Sequence, residues 1–336
     1  MTSSLQKSFI SIIRLGIDHY KDALFGPVDW NEIQTLAERQ GLAAVLVDGI
    51  EKLPDNLRPP KDGLLQMIGQ VVQGYEYRYE LYRRAIAELA GFYREHGLKM
   101  MVLKGYACSL DWPKPEHRPC GDIDIWLFGK QKESDALLES EKHIKVDKSH
   151  HHHTVFCWRD FMVENHYDFI NTHRNKPNAD QELILKQLGV DDSHSIEIYG
   201  EKVCIPSPHL NAFFLIRHLM GHFASSEITL RQVLDWAFFV DKHTGVLDWE
   251  WLLSLLNDYH MVEFLNLINA ICVDDLGFSS ESFPAIKFKP EVKERVLHDI
   301  LDPAYGTAEP SEFIDRMIYK FRRWKANSWK HKLCYE

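Results

Sequence analysis

The spacing of apolar residues changes twice along this chain of 336 residues, and few folds accommodate both changes. From Leu5 to about His96 they recur at three- and four-residue intervals, as at Ile10, Ile13 and Ile17 and again at Leu81, Ala85, Leu89 and Phe92. That spacing lines one face of a helix. Asp29-Trp30 opens one such helix with an acidic residue at the positive end of the helix dipole, and Gly41 stands where a stop is expected. Pro54, Pro59, Pro60 and Gly63 mark a loop, and Gly97 ends the helical block. Beyond it, Met100 to Leu103 is a short apolar run, and Asp122 to Leu127 opens with acidic and apolar side chains alternating at period two. Both read as strands. Further strands are expected at His143 to Val146, Thr154 to Trp158, Phe161 to Phe169, Ile196 to Tyr199 and Lys202 to Ile205. After Pro206 and Pro208 the helical spacing returns at Leu210 to His222, Leu230 to Val240, Trp249 to Asn257, Val262 to Ile271 and Phe313 to Lys332. The expected fold is therefore α+β: a small mixed sheet in 98–206, flanked by helical regions in 1–97 and 207–336.

With 45% hydrophobic and 26% charged residues, the composition excludes disorder and collagen-like repeats. A net charge of −10 argues against wholesale coating of nucleic acid. Six scattered cysteines form no C-x-x-C pair, which argues for reduced thiols rather than a structural zinc or a secreted disulfide framework. No apolar run reaches the roughly 18 residues of a membrane span, and MTSSLQKSFI lacks the apolar core of a signal peptide. A soluble cytoplasmic protein is expected.

The most informative segment is Leu103-Lys104-Gly105-Tyr106, then Arg118, then Gly121-Asp122-Ile123-Asp124-Ile125-Trp126. Side chains two apart on a strand project to one face, about 6.5 Å apart at ~3.3 Å per residue, so Asp122 and Asp124 point together. Two such carboxylates suit divalent cations, because Mg²⁺ prefers oxygen donors and commonly shares them with substrate phosphates. Ile123 and Ile125 supply the buried face. Lys104-Gly105 ends one strand and opens a helix, where backbone N–H groups and a lysine receive a phosphate. In Phe161 to Phe169 the alternation places Glu164, His166 and Asp168 on one face. Glu164 would complete the metal site or take the proton of an attacking hydroxyl, with His166 contacting phosphate or acceptor. A merely solvated strand face would carry the same carboxylate spacing.

The order Lys-Gly, Arg, Gly-Asp-Ile-Asp, Glu-x-His resembles the uncharacterised bacterial nucleotidyltransferases of the DNA polymerase β superfamily. Asp29-Trp30 with Leu36-Ala37-Glu38, Arg217-His218-Leu219 with His222, and Leu230-Arg231 with Leu234-Asp235 resemble that family's flanking helices, so the likeness covers most of the chain. The resemblance implies a polymerase β-like core that moves a nucleoside monophosphate from an NTP to an acceptor hydroxyl, releasing pyrophosphate. Asp122, Asp124 and Glu164 would hold Mg²⁺, or Mn²⁺ in its place, while Lys104, Gly105 and Arg118 would steady the phosphates. The acceptor could be a sugar, a metabolite, RNA or a protein. The chain departs from the family at Tyr106, which follows Gly105 where a small residue is usual, and in the longer gap to Asp122. The departure leaves open a non-catalytic module that binds a nucleotide or partner.

Other features point elsewhere. His150, His151, His152 and His153 form an internal run, read as a solvated loop with His153 nearest the cleft. His218 and His222 share a helical face as in zinc hydrolases, but Leu219, Met220 and Gly221 between them offer no general base. A zinc-dependent hydrolase built on these histidines is the remaining alternative. Arg231 and Asp235 have the spacing of an i,i+4 ion pair. The segment Arg316 to Lys332 interleaves seven cations with Tyr319, Phe321, Trp324 and Trp329, a composition suited to RNA or a membrane surface.

Overall fold

The computed structural model describes residues 3–19, 28–172, 176–191, 194–303 and 310–335. The chain forms four helices, α1 (Ser4–Gly16), α2 (Trp30–Gln40), α3 (Ala43–Glu51) and α4 (Lys61–Met67), and then the long α5 (Gln73–Glu95). The mixed segment runs β1 (Met101–Val102), α6 (Lys104–Ser109), β2 (Ile123–Trp126), α7 (Gln131–Glu141), β3 (His153–Trp158), β4 (Phe161–His166), α8 (Lys176–Asp191), β5 (His194–Ile198) and β6 (Glu201–Ile205). Helices α9 (Pro208–Ser225), α10 (Leu230–His243), α11 (Trp249–Asp258), α12 (Val262–Ala270), α13 (Pro290–Leu301) and α14 (Phe313–Tyr335) follow. This is the α+β arrangement that the changes of apolar spacing imply. By internal contacts the chain divides into two compact units, 72–215 and 1–71 with 216–336.

In the first unit the six strands lie in the order β3-β4-β2-β1-β6-β5. β2 runs parallel to β4 and antiparallel to β1, and β1 runs parallel to β6. One face of the sheet packs on α5, whose buried Tyr79, Tyr82, Ile86, Leu89 and Tyr93 recur at three and four residues. They share a core with Val102, Ile123, Ile125, Phe156, Val163 and Val203. Each large apolar side chain so buried contributes about 1.5–3 kcal/mol, which commits the register: a one-residue slip would turn this set to water.

His143 to Val146, expected as a strand, is instead the stop of α7. His143 takes φ +56°, and the Lys142 and Ile144 N–H groups both donate to the Leu138 carbonyl. Those donors are spent closing the helix, and only Asp147 bridges to Val155 beyond it. The expected strand from Phe161 likewise ends at His166, because the Tyr167 and Asp168 N–H groups both turn to the His152 carbonyl at 3.1 Å.

In the second unit α1 crosses α3 at Gly16 and Gly49, where a Cβ would lie 2.3 Å from the Val45 oxygen and 2.1 Å from the Ile12 oxygen. The Gln40 side chain donates to the Ile300 carbonyl at 2.9 Å and accepts from the Leu230 N–H at 2.7 Å, joining α2, α10 and α13. Asp29 and Asp248 each accept a backbone N–H at a helix start, so the shared Asp-Trp pattern is a capping device. Among the described residues no helix is long and apolar enough to cross a membrane.

Candidate active site

Register assembles the site. In the parallel pair β2–β4, Asp124 lies opposite Glu164 and Trp126 opposite His166; in β3–β4, His153 lies opposite His166. Partners in register project to the same side, so these side chains share the face turned away from α5. Lys104 reaches the same place from the end of β1, where the Leu103 N–H donates to the Asp124 carbonyl at 2.9 Å. Lys104 has φ +39°, a left-handed conformation that costs a residue with a Cβ on the order of 1 kcal/mol and that clusters at functional sites. Its Nζ lies 2.6 Å from Asp124 Oδ1.

His166 completes the cluster. Its Nε2 lies 3.0 Å from Asp124 Oδ1 and 3.4 Å from Glu164 Oε2, and its Nδ1 lies 3.3 Å from the Asp168 carbonyl oxygen. His153 Nε2 is 3.8 Å from Glu164 Oε1. Burial alone would push the Asp124 carboxyl up, but Lys104 and His166 outweigh it and hold the group well below the usual carboxylate range. The same contacts raise His166 and Lys104 against their own burial. The His166 hydrogen bond lowers Glu164. Asp122 moves the other way, raised by burial and then by the neighbouring Asp124 and Glu164 charges. Three carboxylates thus gather around one ammonium and one imidazole, and the crowding of negative charge is felt at Asp122.

Gly105 sits where the backbone is crowded: a Cβ there would lie 2.8 Å from Tyr82 Oη and 3.6 Å from the Asp122 carbonyl oxygen. Tyr82 donates to that carbonyl at 2.6 Å, tying α5 to the residue that precedes β2. Tyr106 is buried, stacked on Tyr79 at 5.9 Å and tilted against Tyr82 at 6.3 Å. Its bulk is therefore taken up by the core. Arg118 is 5% exposed in the loop before β2, and its guanidinium donates to the Pro119 carbonyl at 3.1 Å.

Asp168, expected beside Glu164 and His166, pairs instead with Lys186 of α8, because β4 has ended. His218 and His222 meet edge to face at 4.3 Å in α9. Two residues at the site escaped the sequence pattern. Tyr82 looks like any core aromatic at helical spacing. His152, with its ring 5.8 Å from that of His166, was hidden in a histidine run whose register the sequence does not give. Among the described residues, two groups place their donor atoms within 4.8 Å of one another and could hold a metal: Asp124, Glu164 and His166, and His152, His153 and His166. Carboxylate oxygens with surplus negative charge fit a hard divalent ion.

Compared with known proteins, the chain matches a family model described as Uncharacterised nucleotidyltransferase over residues 26–276. No curated protein matches it. Among solved structures it is similar to an antigenic nucleotidyltransferase-like protein from Paracoccidioides brasiliensis, at 14% identity over 59% of this chain and 92% of that one, with a TM-score of 0.36.

Proposed function

The chain belongs to the uncharacterised nucleotidyltransferase family, and on that premise we propose that it moves a nucleoside monophosphate from an NTP to an acceptor hydroxyl, releasing pyrophosphate. The observation that carries this reading is the register of Asp124 with Glu164 on adjacent parallel strands, with the Lys104 ammonium on Asp124. Asp122, Asp124 and Glu164 are the residues that would hold Mg²⁺, or Mn²⁺ in its place. Bound there, the ion would neutralise phosphate oxygens and stabilise the charge on the leaving pyrophosphate.

The remaining roles belong to the chain. Lys104 stays protonated and supplies positive charge to the phosphates. Glu164 stays ionised and accepts the proton as the acceptor oxygen bonds to the α-phosphorus and the bond to pyrophosphate breaks. His166 holds both carboxylates in place and, through Nδ1, is itself held by the Asp168 carbonyl. Gly105 lets the backbone approach Asp122, and Arg118 steadies the loop that delivers it. Sugars, metabolites, RNA and proteins all carry the hydroxyl this chemistry needs. Incubation with cell extract and either α- or γ-labelled NTP tests the reading. Label entering an acceptor from the α position, and lost in Asp124→Asn, is the expected result; entry from the γ position would make the enzyme a kinase instead.

A second reading has one observation in its favour: three imidazoles, from His152, His153 and His166, with donor nitrogens within 4.8 Å. Such a set suits Zn²⁺. Stoichiometric zinc in untagged protein, lost in His166→Asn but kept when His150 and His151 are replaced, would favour a zinc-dependent hydrolase.

A further inference from the structure

The two halves of α14 differ. The second half is seated: Lys330 is 1% exposed, pairs with Asp299 and donates to the Ser226 carbonyl at 3.1 Å. Trp329 meets Phe223 edge on at 5.7 Å, and the Arg295 guanidinium lies 3.9 Å over its ring. The first half exposes Phe313, Ile314, Met317, Ile318, Phe321 and Trp324, each between 45% and 71%. At 100° per residue these six fall within an arc of about 140°. Lys320 and Arg316 border one side of that arc and Arg322 the other, Lys325 falls within it at its C-terminal end, and Asp315 is the one carboxylate in 313–325. A contiguous apolar stripe of this size is rarely left to water.

The composition of the stripe decides what covers it. Ile314, Met317 and Ile318 have no ring to stack on a base, so half of the stripe is of no use to a nucleic acid. Aliphatic and aromatic side chains on one face, bracketed by cations on a chain whose net charge is −10, match a bilayer surface with anionic headgroups. We propose that the first half of α14 lies on an anionic lipid bilayer, with its apolar arc among the upper acyl chains and its cations on headgroup phosphates. The attachment is peripheral, in keeping with the lack of a spanning helix among the described residues, and it is independent of the transferase reading.

The test is co-sedimentation of the full chain with vesicles of phosphatidylcholine alone and of phosphatidylcholine with phosphatidylserine. Binding is expected to the mixed vesicles, to fall with added salt, and to weaken at least tenfold in Phe321→Ser/Trp324→Ser and in Arg322→Gln/Lys325→Gln. All four side chains are exposed, so unchanged thermal unfolding of the variants is expected and separates lost binding from lost folding. No binding to the mixed vesicles, or equal binding to both kinds, would overturn the proposal. So would a solution dimer, or an RNA complex, that Phe321→Ser/Trp324→Ser abolishes while vesicle binding stays absent.

Discussion

Asp124 and Asp135 are both nearly sealed from water, 3% and 1% exposed, and they meet β4 on opposite faces of the sheet. Asp124 is held by cations, the Lys104 ammonium and the His166 ring. Asp135, from α7, is held by neutral donors: Asn165 Nδ2 at 2.9 Å, Thr154 Oγ1 at 3.1 Å and the Gln131 amide. The outcomes are opposite. The cations overcome burial and keep Asp124 ionised, whereas burial prevails at Asp135 and raises its carboxyl. Neutral hydrogen bonds suffice to fasten α7 to β3 and β4, but a site that must keep negative charge inside a protein needs cationic partners. On the proposed function, that difference separates the carboxylate of the site from one that only fastens a helix.

The largest expected effect is on chemistry. Asp124→Asn should lower nucleotide transfer by on the order of 10³-fold, while Asp135→Asn leaves the rate of folded protein within a few-fold. Equal losses in steady-state assays would erase the distinction. Next comes Gly105→Ala, whose methyl would press on Tyr82 Oη and disturb the carbonyl before β2; a loss of roughly 10²-fold is expected, since small misplacements are costly. Adding Tyr82→Phe removes the crowding oxygen and should restore part of the rate, an outcome that a general loss of packing would not produce.

A smaller effect falls on stability. Asp135→Asn turns one acceptor oxygen into a donor facing other donors, so urea unfolding should show a loss of about 1–3 kcal/mol. The smallest is a change of slope with pH. The Asp124 carboxyl is depressed below its ordinary 3.8, so its stabilisation is present above that value and is lost as the pH falls through the depressed one. His166 is raised above 6.5, so its share is full below that value and is lost as the pH rises through the raised one. The pair therefore stabilises most between 3.8 and 6.5. Asp135, raised, has the opposite sign: its ionisation becomes a penalty as the pH climbs past 3.8. Unfolding across pH 3 to 7 should show the cost of Asp124→Asn growing with pH near the carboxylate range and that of Asp135→Asn shrinking. Parallel slopes would contradict the assignment of partners.

Asp124 was legible because β2 hides Ile123 and Ile125, so the period-two pattern committed it to the other face, with Asp122 just before the strand. Glu164 followed from the same periodicity in β4. What holds them was less legible. The Lys104–Asp124 contact depends on the antiparallel pairing of β1 with β2 and on a left-handed turn at a lysine, a residue type that does not announce one. Tyr106 stands out as an obstacle until the direction of α6 sends it among Tyr79 and Tyr82. Asp168 kept the strand spacing but not the strand, because its N–H was already claimed by His152. Periodicity reports which face a residue takes while an element lasts; it carries little about where hydrogen bonds to a neighbouring segment end that element.

Nucleotidyl transfer at the β2–β4 carboxylates is tested most directly by Mg²⁺-dependent pyrophosphate release from each of the four NTPs, with cell extract supplying acceptors. Release by the wild type that is lost in Asp122→Asn/Asp124→Asn is predicted. Release that persists undiminished in that variant would contradict it, as would retained nucleotide binding with no release from any NTP, which is the behaviour of a non-catalytic module.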